Sequence, residues 1–539
     1  MNQTGRPVDA SLGGPLTAMT RGWTRPSLPR NVLLNWVSTA VTIVYSLVIT
    51  PIVVRALDTE LYGIWSFLNG LVVYSDLLYL GLGAALVKYI AQHHASGDLA
   101  ALNRLASVVL SLLTGVGVLC LTITVVAAPF VPRLFAHPLS PPVAAAATYT
   151  CVLLGVRILT LFVESAFLCV LVGIDRTDIA RVVTTAFTIL RFGAVPLFVG
   201  GRSPLLALAV VVTASSVLEC AVMARTAQIV LRGFKIQRVR PTRSELRLLY
   251  GFGLQSFFLQ AAVKLISYTD TTVIGLMLGA ASVALYSLPL QLIEYGRIGV
   301  NGIVAVLLPR LTALYTKGKI DEVGEAYLRT ALITCLVAAF VNVNFVFLGV
   351  PFLRLWVGPQ FAEPARWVLV CLGAASFFQA LSTQAPVPFY QAMHRLRFPA
   401  AILSCEALVN LALSLAWAPR LGIAGVALAT AVPALGISFA VLPRHLSGQL
   451  GIPFHRLVRR ALLPAVLSAS LHSLAFLLLN HIVDTTSYLG LVGKALAAAP
   501  AALAGMCIGL SRRDLLSGLS FVRLRVARNR WWVDRAVPR

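Results

Sequence analysis

Fourteen apolar runs divide this chain, near 32–54, 62–87, 105–128, 143–172, 179–199, 204–230, 250–278, 284–308, 328–350, 366–392, 398–417, 421–442, 461–480 and 488–510. A helix rises 1.5 Å per residue, so about 20 residues cross the ~30 Å hydrocarbon core of a bilayer. Every run reaches that length. In lipid each backbone N–H and C=O must find an internal partner, which confines such runs to helices. Only 12% of the residues are charged, where a soluble domain carries about 25%. The expected fold class is all-α, a polytopic membrane protein with about 14 transmembrane helices.

The charges then report orientation. A net charge of +24 would suggest nucleic acid in a soluble protein, but here most Lys and Arg lie between the apolar runs. Starting from a cytosolic N-terminus, alternate connections and both tails hold 32 of the 44 Lys and Arg, against six (Arg55, Arg133, Arg202, Arg354, Arg366 and Arg420) on the other side. That asymmetry satisfies the positive-inside rule, and an even number of crossings returns the C-terminus to the cytosol. No nucleic-acid partner is expected. Six further cations, Arg157, Arg191, Arg225, Lys264, Arg297 and Lys494, lie inside the runs. Arg225 and Lys494 are near run ends, where long basic side chains snorkel to the interface. The eight cysteines form no CxxC and sit beside no His cluster, so neither a disulfide frame nor a metal site is expected, and no cofactor is implied.

Residues 1–30 carry four Arg with no cleavable apolar leader and read as a disordered cytosolic tail. Residues 31–230 then form a first bundle of six helices, and 231–249 a basic cytosolic linker containing Arg232, Lys235, Arg238, Arg240, Arg243 and Arg247. Residues 250–442 form a second six-helix bundle, 443–510 two additional helices, and 511–539 a basic cytosolic tail ending near Trp531 and Trp532. The linker and the C-terminal tail are suited to anionic membrane lipids. The stretches 61–107 and 284–330 share a pattern: an apolar run, a cation (Lys88, Arg310), a Gly-containing polar connection and another run. Two parallel six-helix repeats fit that pattern, and repeat-built transporters usually bind substrate where the repeats meet.

At the centre, the runs 250–278 and 284–308 are joined by a short Gly-Ala-Ala turn and place Lys264 and Arg297 near their middles, with Asp270 and Glu294 close by. A charge at mid-membrane costs roughly 2.5–3.5 kcal/mol on insertion scales and marks a cavity, a partner or an anionic ligand. Four deep cations, Lys264, Arg297, Arg157 and Arg191, are therefore candidate cavity residues for an anionic group, which Arg holds through bidentate, charge-assisted hydrogen bonds. Each has a structural alternative. Glu294 lies three residues before Arg297 and can pair with it on one helix face. Arg157 and Glu164 are seven apart, too far for easy pairing. Lys264 and Asp270 point to different faces, so a partner for Lys264 must come from another helix. Arg191 has Glu219 or Glu164 as a potential neighbour. The carboxylates Asp270, Asp76, Glu294, Glu164, Glu219 and Glu406 are candidates for proton or sodium coupling, Asp270 and Asp76 first among them. Pro289, Pro386, Pro388 and Pro433 are candidate bends. The runs from Gly81 and from Gly422 read as close helix packing.

Three stretches carry a resemblance: ITPIVVRALDTELYGIWSFLNGLVVYSDLLYLGLGAALVKYIAQ (49–92), YTDTTVIGLMLGAASVALYSLPLQL (268–292) and NLALSLAWAPRLGIAGVALATAVP (410–433). In this order and on these spans the chain resembles the polysaccharide transporter and O-antigen flippase family of the multidrug/oligosaccharidyl-lipid/polysaccharide (MOP) exporter superfamily. The resemblance implies a bacterial cytoplasmic (inner) membrane transporter whose two bundles form a V-shaped cavity opening alternately to each side. The implied cargo is a lipid-linked oligosaccharide, usually on an isoprenoid pyrophosphate, with glycan polymerase and other surface-polysaccharide assembly proteins as partners. Related lipid II flippases meet the pyrophosphate with cavity cations. The drug-exporting branch relies on carboxylates that exchange protons or sodium, and both residue types are present here. Enzymatic function is not expected: the long outer connections, 129–142 and 350–365, carry only Arg133, His137, Arg354 and Glu363 as ionisable groups. A Walker-type nucleotide loop is absent from the sequence.

Overall fold

The computed structural model describes residues 28–509 apart from positions 80, 81, 202, 306, 481 and 484. The N-terminal tail up to residue 27 and the basic C-terminal tail 511–539 lie outside the described residues, as does Gly81. The helices are α1 (Leu28–Ser75), α2 (Leu82–Ser96), α3 (Leu99–Ala127), α4 (Pro141–Gly173), α5 (Thr177–Phe198), α6 (Pro204–Val230), α7 (Arg243–Leu278) and α8 (Ala280–Ala305). They continue as α9 (Leu308–Thr316), α10 (Ile320–Trp356), α11 (Ala365–Gln379), α12 (Arg397–Pro433), α13 (Ala440–Gln449), α14 (Leu463–Leu479) and α15 (Tyr488–Gly509). Among the described residues there is no strand.

Local chemistry sets the starts. Asp98 caps α3 by accepting from the Ala101 N–H at 2.9 Å, and proline occupies the first turn of α4 and α6, where its missing N–H costs nothing. Thr242 and Glu245 form a reciprocal capping box at the start of α7. Arg104 of α3 hydrogen-bonds the same Glu245 carboxylate at 2.7 Å, and this contact, with the cap, pulls its pKa down from 4.5 to about 2.

Eleven stretches among the described residues are long and apolar enough to cross a membrane, fewer than the fourteen runs of the sequence. Two of the eleven contain a backbone reversal. Trp36–Tyr79 includes Asp58 at φ 60°, ψ 175°, and Arg397–Gln449 includes Gly422 at φ 60°, ψ −145°. Each therefore holds two of the sequence's runs back to back. Helix α8, with Glu294 and Arg297, is not among the eleven. Gly422 thus serves as a helix break rather than a packing surface: a Cβ there would meet nothing within 4 Å, while its backbone angles are open only to glycine. Pro386 and Pro388 follow a π-helical turn at Ala380–Gln384, and Pro433 precedes another at Ala434–Phe439.

Packing groups the helices into two halves. In the first, α4 lies against α3 and α6, and α1 against α5; in the second, α12 lies against α7 and α11, and α10 against α11. The hairpin α14–α15 packs on α10. The two halves meet through α8 on α1 and α7 on α1 and α2. At the end of the bundle holding Asp58 and Gly279, one apolar core runs through both: Phe67 and Phe135 of the first half join Ile274, Val283, Leu353 and Leu369 of the second. Toward the linker end the second half keeps a separate core around Leu259, Tyr327, Phe389 and Leu442. The halves are fused at the Gly279 end and have independent interiors at the other.

Polar contacts reinforce the fused end. Ser287 donates to Ser66 at 3.1 Å, Trp356 Nε1 donates to the Leu47 carbonyl at 2.6 Å, and Gln291 donates to Ser46 at 2.7 Å. Gly63 is the closest approach: a Cβ would stand 1.8 Å from the Ala280 carbonyl oxygen. Because the obstructing atom is backbone, the helices themselves would have to separate. Gly63→Ala is expected to destabilise this closure by about 1–3 kcal/mol, as overpacking does. The check is labelling of a cysteine placed at Ser66 by a membrane-impermeant thiol reagent, which should speed up relative to the same cysteine without the glycine change. Unaltered labelling would show that the interface absorbs the methyl without opening.

The linker is shorter and more firmly attached than its composition suggests. Helix α7 already begins at Arg243. Asn103 donates to the Gly233 carbonyl at 2.9 Å and accepts from the Lys235 N–H at 3.2 Å, while Ser107 accepts from the Gln237 N–H at 2.9 Å. The first part of the connection is thus held to α3 by buried side chains.

Candidate functional site

Within the first half, closed on one side by Gln291 of α8, is a cavity of about 260 Å³. Helix α1 contributes Tyr45, Ser46, Thr50 and Asn69, α4 contributes Arg157, α5 Arg191, and α8 Gln291. The apolar faces of these helices pack outward into the core, and the few polar positions on each converge here. The two arginines differ in how their charge is met. Arg191 donates from Nε to Ser215 at 2.7 Å and pairs with the buried Glu219 carboxylate. Arg157 donates from Nη1 to the Asn69 amide oxygen at 3.1 Å, its Nε is buried without a hydrogen bond, and it forms no ion pair among the described residues. A guanidinium that keeps unused donors at the wall of a cavity is chemically ready for an anion.

The other sequence-predicted residues fall into three settings. Lys264 of α7 reaches across to Asp76, in the 3₁₀ turn Asp76–Tyr79 that follows α1, at 3.0 Å. This ion pair links the two halves. Close by, Tyr74 and Thr272 share a hydrogen bond at 3.2 Å across the same seam. Arg297 pairs with Glu294 at 2.6 Å within α8, although its Nε is also buried without a partner. Glu164 of α4 is buried and makes no hydrogen bond or ion pair among the described residues.

Asp270 stands apart from the cavity, inside the second half, at 3% exposure. Tyr286 and Thr430 each donate to its Oδ2 at 2.6 Å; Asn410 and Ser414 approach Oδ1 at 3.4 and 3.5 Å. Asn410 also donates to Thr430 at 3.0 Å, and its own amide oxygen is buried without a partner. The carboxylate, carried by α7, is therefore surrounded by neutral oxygen and nitrogen groups from α8 and α12, with no cation paired to it among the described residues. Sequence reading singled out Asp270 but not Tyr286 or Ser414. The available signal was spacing: Asn410 and Ser414 are four apart, one helical turn, on an otherwise apolar helix. Glu406, one turn before Asn410, is likewise buried, accepting from Ser438 while Oε1 has no partner.

Lys494 departs from its sequence reading. Rather than snorkelling, it is 4% exposed and donates to Asn480 at 3.0 Å, because α15 folds back on α14 and covers it.

Comparison with known proteins gives the following likenesses. The family model described as polysaccharide biosynthesis protein matches residues 28–315. The Bacillus subtilis (strain 168) protein described as "Uncharacterized membrane protein EpsK" is 26% identical over 213 residues, 38% of this chain and 41% of that protein. The chain thus aligns with about two-fifths of the length of this curated relative. Among solved structures, an inward-facing multidrug resistance MATE family transporter of the MOP superfamily superposes with a TM-score of 0.68 at 16% identity, covering 76% of this chain and 94% of that one. The lipid II flippase MurJ in an inward closed conformation gives 0.63 at 15% identity, covering 90% and 99%. At these identities the likeness is one of fold.

Proposed function

Since this chain belongs to the polysaccharide biosynthesis protein family, we propose that it is a flippase for a lipid-linked oligosaccharide, moving an isoprenoid-pyrophosphate headgroup from the inner to the outer leaflet of the cytoplasmic membrane. The observation that carries this reading is Arg157, a cavity cation whose only hydrogen bond among the described residues is to a neutral amide. A pyrophosphate is the kind of group that such a cation stabilises in a low-dielectric space. Arg191 supplies a second guanidinium to the same cavity. Lys264 and Arg297, released from Asp76 and Glu294, extend the path toward the linker end. In this reading the chain crosses the membrane fourteen times with both termini cytosolic, six helices in each half and two appended, and the Gly279 end faces outward. Separate cores at the linker end let the halves part there, so alternating access consists of breaking one end while closing the other. Asp270 serves as the coupling carboxylate, with Asp76, Glu294 and Glu164 as further acids along the route. A glycan polymerase and the other surface-polysaccharide assembly proteins receive the product.

A second reading, a proton- or sodium-coupled exporter of organic cations, draws on the Asp270 network, which offers a carboxylate and four polar groups to a small cation. One experiment separates them. Purified protein in proteoliposomes is given a pyrophosphate-linked lipid oligosaccharide on one side, and its appearance on the other is measured. Protein-dependent translocation of the lipid is the expected outcome. Absence of lipid movement, together with export of organic cations down a proton or sodium gradient, would overturn the flippase reading in favour of the second.

A further inference from the structure

A larger cavity, about 430 Å³, opens at the Gly279 end, where α10, α11 and the α14–α15 turn come together, and it shares no lining residue with the central one. Its floor is apolar, formed by Val346, Phe347, Val350 and Pro351 of α10. Its rim is polar and basic: Arg354, Arg366, Asn480 and Thr485. Connections at this end are poor in cations, with six Lys and Arg in the chain's sequence pattern, and two of the six converge on this one cavity.

The charges there are not balanced among the described residues. Arg354 and Arg366 share one carboxylate, Glu363, the second contact being 3.1 Å. Those guanidiniums hold the Glu363 carboxyl below its usual range, so it stays ionised and offsets one of the two. Behind the rim, Lys494 is buried and among the described residues reaches only the neutral Asn480, which itself lines the cavity. A buried cation with no carboxylate beside it is costly, and an anion seated next to Asn480 would offset that cost. Large apolar side chains flank the opening on the hairpin, including Leu477, Leu478 and Leu489, all exposed. Such a rim faces acyl chains rather than bulk water.

We propose that this cavity binds lipid-borne phosphate, a phosphodiester or diphosphate headgroup in the leaflet at the Gly279 end, with Arg354 and Arg366 on the phosphate and the apolar floor against the first part of the lipid chain. The site is independent of the central cavity, and binding alone tests it. Full-length protein is placed in nanodiscs of phosphatidylcholine with a minor fraction of phosphatidylglycerol, and the lipids it retains are counted by native mass spectrometry. Wild type is expected to retain phosphatidylglycerol selectively. Each Arg facing an anionic headgroup is worth about 1 kcal/mol, roughly fivefold, so Arg354→Gln with Arg366→Gln should lower retention about 25-fold. In a second arm, soluble pyrophosphate is added without phosphatidylglycerol, and thermal unfolding is followed. Stabilisation of wild type but not of the double variant by pyrophosphate, without selective lipid retention, would reassign the site to soluble phosphate and overturn the lipid assignment. Retention unaffected by the double variant would overturn it as well.

Discussion

Replacing Arg157 with alanine is expected to reduce transport of a pyrophosphate-linked lipid by at least about 100-fold while leaving the protein folded. Two charge-assisted hydrogen bonds from one guanidinium to a phosphate, at about 1.5–3 kcal/mol each, account for that magnitude. Folding should be little affected, because Arg157 gives up a single hydrogen bond, to Asn69, and its removal takes a desolvated charge out of the wall. Arg157→Lys keeps the charge but loses the planar fork, and an intermediate loss of about tenfold is expected. Arg191 cannot be tested as cleanly. Its removal leaves Glu219 buried and unpaired, a defect of about 3–5 kcal/mol in stability, so Arg191→Ala would lose transport for a reason unrelated to cargo. Initial rates in proteoliposomes, normalised to correctly folded protein, measure the Arg157 effect. Wild-type rates in Arg157→Ala would remove the central cation from the mechanism.

Asp270→Ala should be the most destabilising single substitution in the second half. It leaves the Tyr286 and Ser414 hydroxyls without this acceptor in a buried space, and the Thr430 hydroxyl and Asn410 amide with only their weaker alternatives, the Val426 carbonyl and Thr430. Orphaned buried donors cost about 1–3 kcal/mol each, and even partial re-pairing leaves a loss on the order of 4 kcal/mol. Thermal unfolding of the purified protein reads this directly. Asp270→Asn supplies one acceptor oxygen, so a smaller loss is expected, and it isolates the role of charge. If Asp270 couples transport to an ion, Asp270→Asn transports at a rate that no longer responds to an imposed proton or sodium gradient. Retained gradient dependence in a folded Asp270→Asn protein would make the network purely structural.

The sequence made local relations legible and distant ones not. Glu294 and Arg297 are three residues apart, and the helical period alone puts them together. The all-α membrane fold followed from run length and the backbone's need for internal partners. The partner of Lys264 was beyond reach in the same way that its need for one was evident: Asp76 is 188 positions away, and only the meeting of α7 with the turn after α1 brings them within 3.0 Å. The acceptor role of Asp270 likewise depends, besides Tyr286 16 positions on, on groups 140 to 160 positions later. Asp58 and Gly422 show a different limit. A reversal of one residue's backbone turns one unbroken helical stretch into two, and hydropathy averages over it. Lys494 misled because its place near the end of a run says nothing about the neighbouring helix that covers it.

The attachment of the linker sets a mechanical condition on any opening. Gln237 is tied to Ser107, and Glu245 to Arg104, both anchors on α3. Between them Val239 packs against the core, and the start of α7 is thereby leashed to the first half. The rest of α7 is seated against α12 in the second half. When the halves part at this end, α7 must flex along its length like a leaf spring clamped at both ends, or slip its Arg104 clamp. In the alternating-access reading proposed above, the long helix is both a seam between the halves and the element that stores the work of separating them.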